Sequence, residues 1–408
     1  MNMRGICRYI VFIIAITALF TACHSNDDNG KKTVTAKQTV LMYIPWADDS
    51  RIHSACLKNI TALKTAIEYQ GGLNGQKLMV VIAQNDKNAV LIDVKYKNGK
   101  CLNDTLKRYQ SLTPSSFITA AGITSFFKDV IAEAPANSYG LIIGCHGMGW
   151  LPAGSNANAR RRAPSSLPSH WANSIYIDEE IETRYFGSGT NSPTYQTNIS
   201  ELKIAIANSF KHTNFVLFDD CYMQNIETAY ILKDVTDNII ASTCEVMMEG
   251  MPYASVGGAL MQGDYGSVVN GFYQYYTDYK WPYATMSVVK TSEVENTARM
   301  MKAVNAAHQW DQQNINKLQI LDGEYYTMFF DMGSYLRLLC QEDEGMYKQM
   351  TEQLNKMIPY KANTEYFYSA NVKRAFKIDE FSGITISDPS ISPLTATKET
   401  TEWWKATH

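Results

Sequence analysis

The chain has eight cysteines in 408 residues but no CxxC pair, and Cys56, Cys101, Cys145, Cys221, Cys244 and Cys340 are widely scattered. That spacing offers neither a structural zinc site nor a disulfide framework. An excess of basic charge is also missing. With a formal net charge of −3 and a pI near 6.2, no nucleic-acid partner is expected. Long hydrophobic runs are lacking except for residues 9–20, YIVFIIAITALF, which are too few to span a bilayer comfortably. What is present is apolar content of 45%, ample for a large core.

The one apolar run has a setting. Arg4 and Arg8 precede it and small residues follow, the marks of an export signal. LFTAC, with Thr21 and Ala22 before Cys23, resembles the bacterial lipobox, although Phe20 stands where leucine is commoner. That resemblance implies removal of residues 1–22 and lipidation of Cys23. The protein would then be held to the cell envelope, at its periplasmic face or at the cell surface. Residues 23–37 are polar and read as a flexible tether between this anchor and a folded body.

From residue 38 onward, strand and helix signals alternate. TVLMYIPWA (39–47) and KLMVVIAQ (77–84) are short and apolar, and a helical stretch between them is closed by GGLNG. Phe117, Ala120, Ile123, Phe127, Val130 and Ile131 recur at helical steps and predict one helix over 116–134. SYGLIIGCHGMGW, NFVLF, NIIAST and TMSVVK continue as strands, with helices between them. This rhythm predicts an α/β/α sandwich on a mostly parallel sheet. The pattern becomes mainly helical over 291–408, with a final strand at SGITISD. Residues 151–198 break it: they are rich in Pro, Ser and Asn and contain ANARRRAPSS, whose arginines invite proteolysis.

In such a sheet, ligands gather outside the carboxyl ends of the strands. Two of those ends carry a base or a nucleophile. His146 follows Leu141–Ile143, and Cys221 follows Phe215–Phe218. If the two strands are neighbours, the imidazole and the thiol rise from one edge, a unit sufficient for nucleophilic attack on a carbonyl. A helix starting just after Cys221 would favour its thiolate. Gly147 can bring a backbone N–H close to a substrate. With the N–H of Cys221 it would form an oxyanion hole, each donor worth about 3–4 kcal/mol. The two carboxylates beside the thiol, Asp219 and Asp220, disfavour its ionisation and call for another explanation.

These two strand ends, LIIGCHGMGW and FVLFDDCYMQNIETAY, resemble those of the caspase-like cysteine peptidases, and the clostripain family most closely. TVLMYIPWADD, ASTCEVMMEGMPY and FFDMGSYL extend the likeness over most of 38–390. The resemblance implies a caspase-like fold and an endopeptidase acting on proteins or peptides with Arg or Lys at P1. His146 would be its base or acid, Cys221 its nucleophile and Asp219 the base of the S1 pocket. It implies a catalytic domain over 38–290, completed by 291–408. It also implies maturation by cleavage at a basic residue within 151–198, where Arg160, Arg161 and Arg162 lie. Asp220 departs from the family, which usually has a small residue there. Some members depend on calcium. Asp48, Asp49, Asp86 and Glu245 fit no calcium spacing and read as surface acids, so no cofactor or metal is expected. The competing readings are a surface lipoprotein that binds peptides or glycans, and a peptidase of this fold with a non-basic P1.

Overall fold

The computed structural model describes residues 35–45, 50–154, 171–184 and 196–408. The export signal, Cys23, Asp48, Asp49 and Arg160–Arg162 lie outside these residues, as does most of the tether. No helix among the described residues is long and apolar enough to cross a membrane.

Fourteen strands follow one another along the described chain. The first five are β1 (Thr39–Ile44), β2 (Lys77–Asn85), β3 (Asn88–Lys97), β4 (Lys100–Tyr109) and β5 (Tyr139–Ile143). Next come β6 (Ile175–Tyr176), β7 (Phe215–Phe218), β8 (Asn238–Ala241), β9 (Thr285–Lys290) and β10 (Phe330–Asp331). The last are β11 (Tyr360–Asn363), β12 (Tyr366–Ser369), β13 (Arg374–Lys377) and β14 (Thr385–Ile386).

Nine of them form one sheet in the order β11-β9-β8-β7-β5-β1-β2-β3-β4. Its centre, from β8 to β2, is parallel, as βαβ connections require. Antiparallel strands extend it at both edges. The β3–β4 hairpin turns at Asn98 and Gly99, both with positive φ, the conformation that favours Asn-Gly in a two-residue turn. β11 carries the C-terminal part into the same sheet. The terminal strand at Thr385–Ile386 instead pairs with β10 in a separate two-stranded sheet.

Both faces of the centre are covered, so its strands are apolar throughout. Side chains alternate between the two layers. Leu41, Tyr43, Val216 and Phe218 join one core with helices 120–133, 199–208 and 226–232. Val40, Met42, Phe215 and Leu217 join the other with helices 50–69, 253–262 and 265–277. The single helix expected over 116–134 is two, Pro114–Ile118 and Ala120–Glu133. They part at Thr119, whose extended backbone and side-chain bond to the Gly122 N–H make it the N-cap of the second.

Candidate active site

β5 and β7 are adjacent and parallel, with Ile143 opposite Phe218. The two chains leave the sheet together, so His146 and Cys221, each three residues further on, meet at one edge. Gly147 fixes how closely. A Cβ there would lie 2.2 Å from the Cys221 carbonyl oxygen and 2.9 Å from its nitrogen, so only glycine lets the two loops touch.

Cys221 does not open a helix. The helix begins at Ile226, capped by the Asn225 side chain, which accepts from the Thr228 N–H. Residues 221–222 lie in a turn in which Tyr222 has φ +61°, a conformation costly for a non-glycine residue. Its carbonyl accepts from Asn225 Nδ2 at 2.9 Å. The helix dipole is therefore a turn away from the thiol. The Cys221 thiol is buried in a small apolar cluster with Trp150, Leu151, Tyr222 and Phe329. Its Sγ accepts from the Val246 N–H at 3.2 Å. Burial, then Glu245, pushes the thiol's pKa well above its ordinary range, so the group is protonated in this state.

Strand alternation continues past Phe218 and sends the two aspartates to opposite faces. Asp219 enters the layer of helices 50–69 and 253–262 and there meets Arg184. Arg184 Nη1 lies 2.8 Å from Asp219 Oδ2, and the two side chains are 0% and 2% exposed. Arg184 also donates to the Asp219 carbonyl at 2.9 Å, the Met248 carbonyl at 3.2 Å and the Glu249 carbonyl at 3.2 Å. Asn59 Oδ1 accepts a further bond from Nη2. Five acceptors thus surround a group with five donors. Gly250 (φ +69°) makes room for it, since a Cβ there would stand 2.2 Å from Nη2. Asp219 additionally accepts from the Met251 N–H at 2.9 Å and the Tyr253 hydroxyl at 3.0 Å. Burial pushes the Asp219 carboxyl above its ordinary value, although Arg184 and these donors pull it back down. Burial is the largest single influence on Arg184 and lowers it, but Asp219 together with Cys56, Tyr253 and Tyr276 outweighs burial and leaves it above its ordinary range. Contacts of this number and directness hold the pair ionised.

Arg184 arrives on a strand-like segment. Its N–H donates to the Val246 carbonyl at 2.8 Å, and the Met248 N–H donates to the Glu182 carbonyl at 3.1 Å. Thr183 bridges Met247 antiparallel. The carbonyl of Arg184 then lies 2.9 Å from His146 Nδ1. A carbonyl can only accept, so Nδ1 carries the proton. An arginine therefore has its guanidinium on Asp219 and its peptide carbonyl against the histidine.

Asp220 faces the other layer and resolves its own puzzle. Its Oδ1 accepts the Cys145 N–H at 2.6 Å, and the Cys145 thiol approaches Oδ2 at 3.4 Å. Burial raises its pKa to about 7. It stands apart from the acidic pocket and ties the loop bearing His146 to the end of β7. Beyond His146 on that side lies an apolar cleft lined by Tyr43, Phe117, Met148, Ile199, Leu202 and Met223.

The structure thus brings His146, Gly147, Asp219 and Cys221 together. Sequence reasoning misses Arg184, although it is a basic residue in the stretch expected to be cleaved; ARRRA is the louder signal. Glu245 is a correction. It is not a surface acid but is 2% exposed, its carboxylate bound by Thr183, Tyr222 and the Ala370 N–H. Its pKa is pushed up to about 7, burial being the main cause. Asp86 is exposed, as expected.

The model of the Clostripain family matches residues 169–382. The chain is 40% identical to a secreted C11 cysteine protease from Bacteroides thetaiotaomicron, "iotapain". That match covers 92% of this chain and 100% of that one, with a TM-score of 0.80. An inactive zymogen C11 protease from Parabacteroides distasonis is 25% identical over 92% of this chain and 99% of its own, with a TM-score of 0.74. A clostripain from Bacteroides thetaiotaomicron, in complex with the peptide inhibitor BTN-VLTK-AOMK, is 46% identical. It covers 54% of this chain and 99% of its own, with a TM-score of 0.52. No curated protein matches significantly.

Proposed function

The chain belongs to the clostripain family and is a cysteine peptidase of caspase-like fold; from that premise we propose an exported endopeptidase that cleaves after arginine, and less readily after lysine, and that is held latent by its own Arg184. The observation that carries this reading is the saturated guanidinium of Arg184 on Asp219, with the adjoining carbonyl at His146. Lysine offers three donors from a point charge and would leave part of that cage unmet. A peptide inhibitor with a basic residue, BTN-VLTK-AOMK, is bound by the Bacteroides thetaiotaomicron clostripain, which supports a basic P1 here. Export is supported by the relative described as secreted and by the signal-like N-terminus; anchoring through Cys23 is the corresponding proposal.

In this reading Cys221 Sγ attacks the P1 carbonyl carbon while the N–H groups of Gly147 and Cys221 receive the oxyanion. The thiol proton passes to His146 and from there to the departing amine, leaving a thioester that water hydrolyses. Maturation is the same reaction on the Arg184–Tyr185 bond. It vacates the pocket and gives the thiol access to solvent, relieving the burial that keeps it protonated. A relative described as an inactive zymogen is in keeping with such latency.

Incubation of the purified protein is expected to yield a new N-terminus at Tyr185 and hydrolysis of an arginyl fluorogenic peptide, with Cys221→Ala giving neither. Hydrolysis by Cys221→Ala, or a wild type that cleaves asparaginyl or aspartyl peptides instead, would overturn the reading. A wild type that binds peptides without cutting any would favour the binding-protein alternative.

A further inference from the structure

Arg184 is not the only part of the latent segment that meets a built site. Thr183 donates from Oγ1 to Glu245 Oε2 at 2.6 Å, and both side chains are buried. The carboxylate is aimed by neighbours that do not leave with the segment. The Tyr222 hydroxyl donates to Oε1 at 3.0 Å, and the Ala370 N–H donates to both oxygens at 3.1 Å. Tyr222 is the residue after the nucleophile, and Ala370 follows β12, so this acceptor is fixed to the catalytic turn. All these partners are neutral donors, and the carboxyl oxygen that Thr183 occupies is an acceptor for a hydroxyl.

The main chain sets the register. Glu182–Arg184 lies antiparallel along Val246–Met248, with Arg184 bonded to Val246 and Met248 bonded to Glu182. A substrate that places its P1 arginine on Asp219 and uses the same edge must put its preceding side chain where Thr183 stands. That position has a buried carboxyl acceptor, where an apolar side chain would leave the Glu245 oxygen without the hydroxyl it now binds.

We propose that Glu245 forms the S2 subsite and selects a hydroxyl-bearing residue, threonine or serine, immediately before the basic P1 residue. The inference rests on the arginine-specific reading above and deepens it from one position to two. Each potential cleavage site must then carry Thr-Arg or Ser-Arg to be cut efficiently. The chain's own Thr183-Arg184 satisfies this, whereas Asn158-Ala159-Arg160 and the arginine pairs that follow do not.

The test compares kcat/KM of the processed protein on four fluorogenic peptides, Ile-Glu-X-Arg with X as Thr, Ser, Val or Lys. Thr and Ser are expected to exceed the near-isosteric Val by about tenfold, the worth of one buried hydrogen bond. In Glu245→Gln the Thr-to-Val ratio should fall below about threefold. Because Glu245 also acts on the Cys221 thiol, the ratio within each enzyme is read, not the absolute rate. If the variant does not fold, the wild-type ratio decides alone. Equal rates on Thr and Val, or a preference for Lys at X, would overturn the S2 assignment while leaving arginine specificity standing. Failure on all four peptides would overturn the parent reading and this one with it.

Discussion

The two faces of the sheet at the end of β7 put consecutive aspartates to different uses. Asp219 and Asp220 are equally buried, each 2% exposed. On one face Asp219 holds the guanidinium of Arg184, which sits in a segment the enzyme is proposed to cut. On the other face Asp220 holds the Cys145 N–H, part of the permanent loop that carries His146. The first carboxylate faces a guanidinium, which in the proposed reading is a removable partner. The second has only neutral partners, and burial lifts it to about 7. Residue type and burial do not distinguish them. What crosses from the opposite strand end does.

Asp219→Asn should break the comparison most severely. Removing one member of a buried, hydrogen-bonded ion pair costs about 3–5 kcal/mol, so kcat/KM on arginyl peptides should fall roughly 10²–10⁴-fold. Self-processing should stall with it, and a variant that still matures at the wild-type rate would end the S1 assignment. Gly147→Ala comes next, because its Cβ would press on the Cys221 main chain. A displacement of about 1 Å there should lower kcat roughly 100-fold with little change in KM, measured by steady-state kinetics. Arg184→Lys sharpens the pocket's preference. Three donors replace five, and the appearance of the Tyr185 N-terminus in a time course should slow roughly tenfold. Unchanged timing would mean the pocket reads charge alone.

Much of this is legible in the chain itself. Apolar runs mark the parallel centre, and the step from Phe218 to Asp219 marks the acidic pocket, because strand alternation is a local rule. The likeness to the clostripain family is the source of the roles proposed for His146, Cys221 and Asp219. Arg184 is not legible from local rules, since its importance lies in tertiary contacts with Asn59, Asp219 and Met248, far apart in sequence. Glu245 is misplaced at the surface for the same reason: its burial depends on Thr183, Tyr222 and Ala370 arriving from three other segments. The β3–β4 hairpin has a readable signal in Asn98-Gly99 between alternating residues, and the turn after Cys221 has none, because nothing local marks Tyr222 for a positive φ.

Asp220→Asn is the mildest change and addresses the other half of the comparison. Asparagine keeps an oxygen for the Cys145 N–H, so the His146 loop should hold and kcat/KM should fall only about threefold, within the usual cost of weakening one charged hydrogen bond. The pH dependence is the sharper readout. The carboxyl titrates near 7 when folded against an ordinary value of 3.8. Between those values the unfolded chain has already lost the proton that the folded chain retains. Wild-type stability therefore declines as pH rises from about 4 to 7, and this one group contributes at most about 1.4 kcal/mol per pH unit. The substituted amide does not titrate, so the Tm of the Cys221→Ala protein should lose part of its downward slope over that range when the second change is added. Superimposable Tm–pH curves would mean that Asp220 is ionised throughout, and that both faces of the sheet keep their aspartate charged after all.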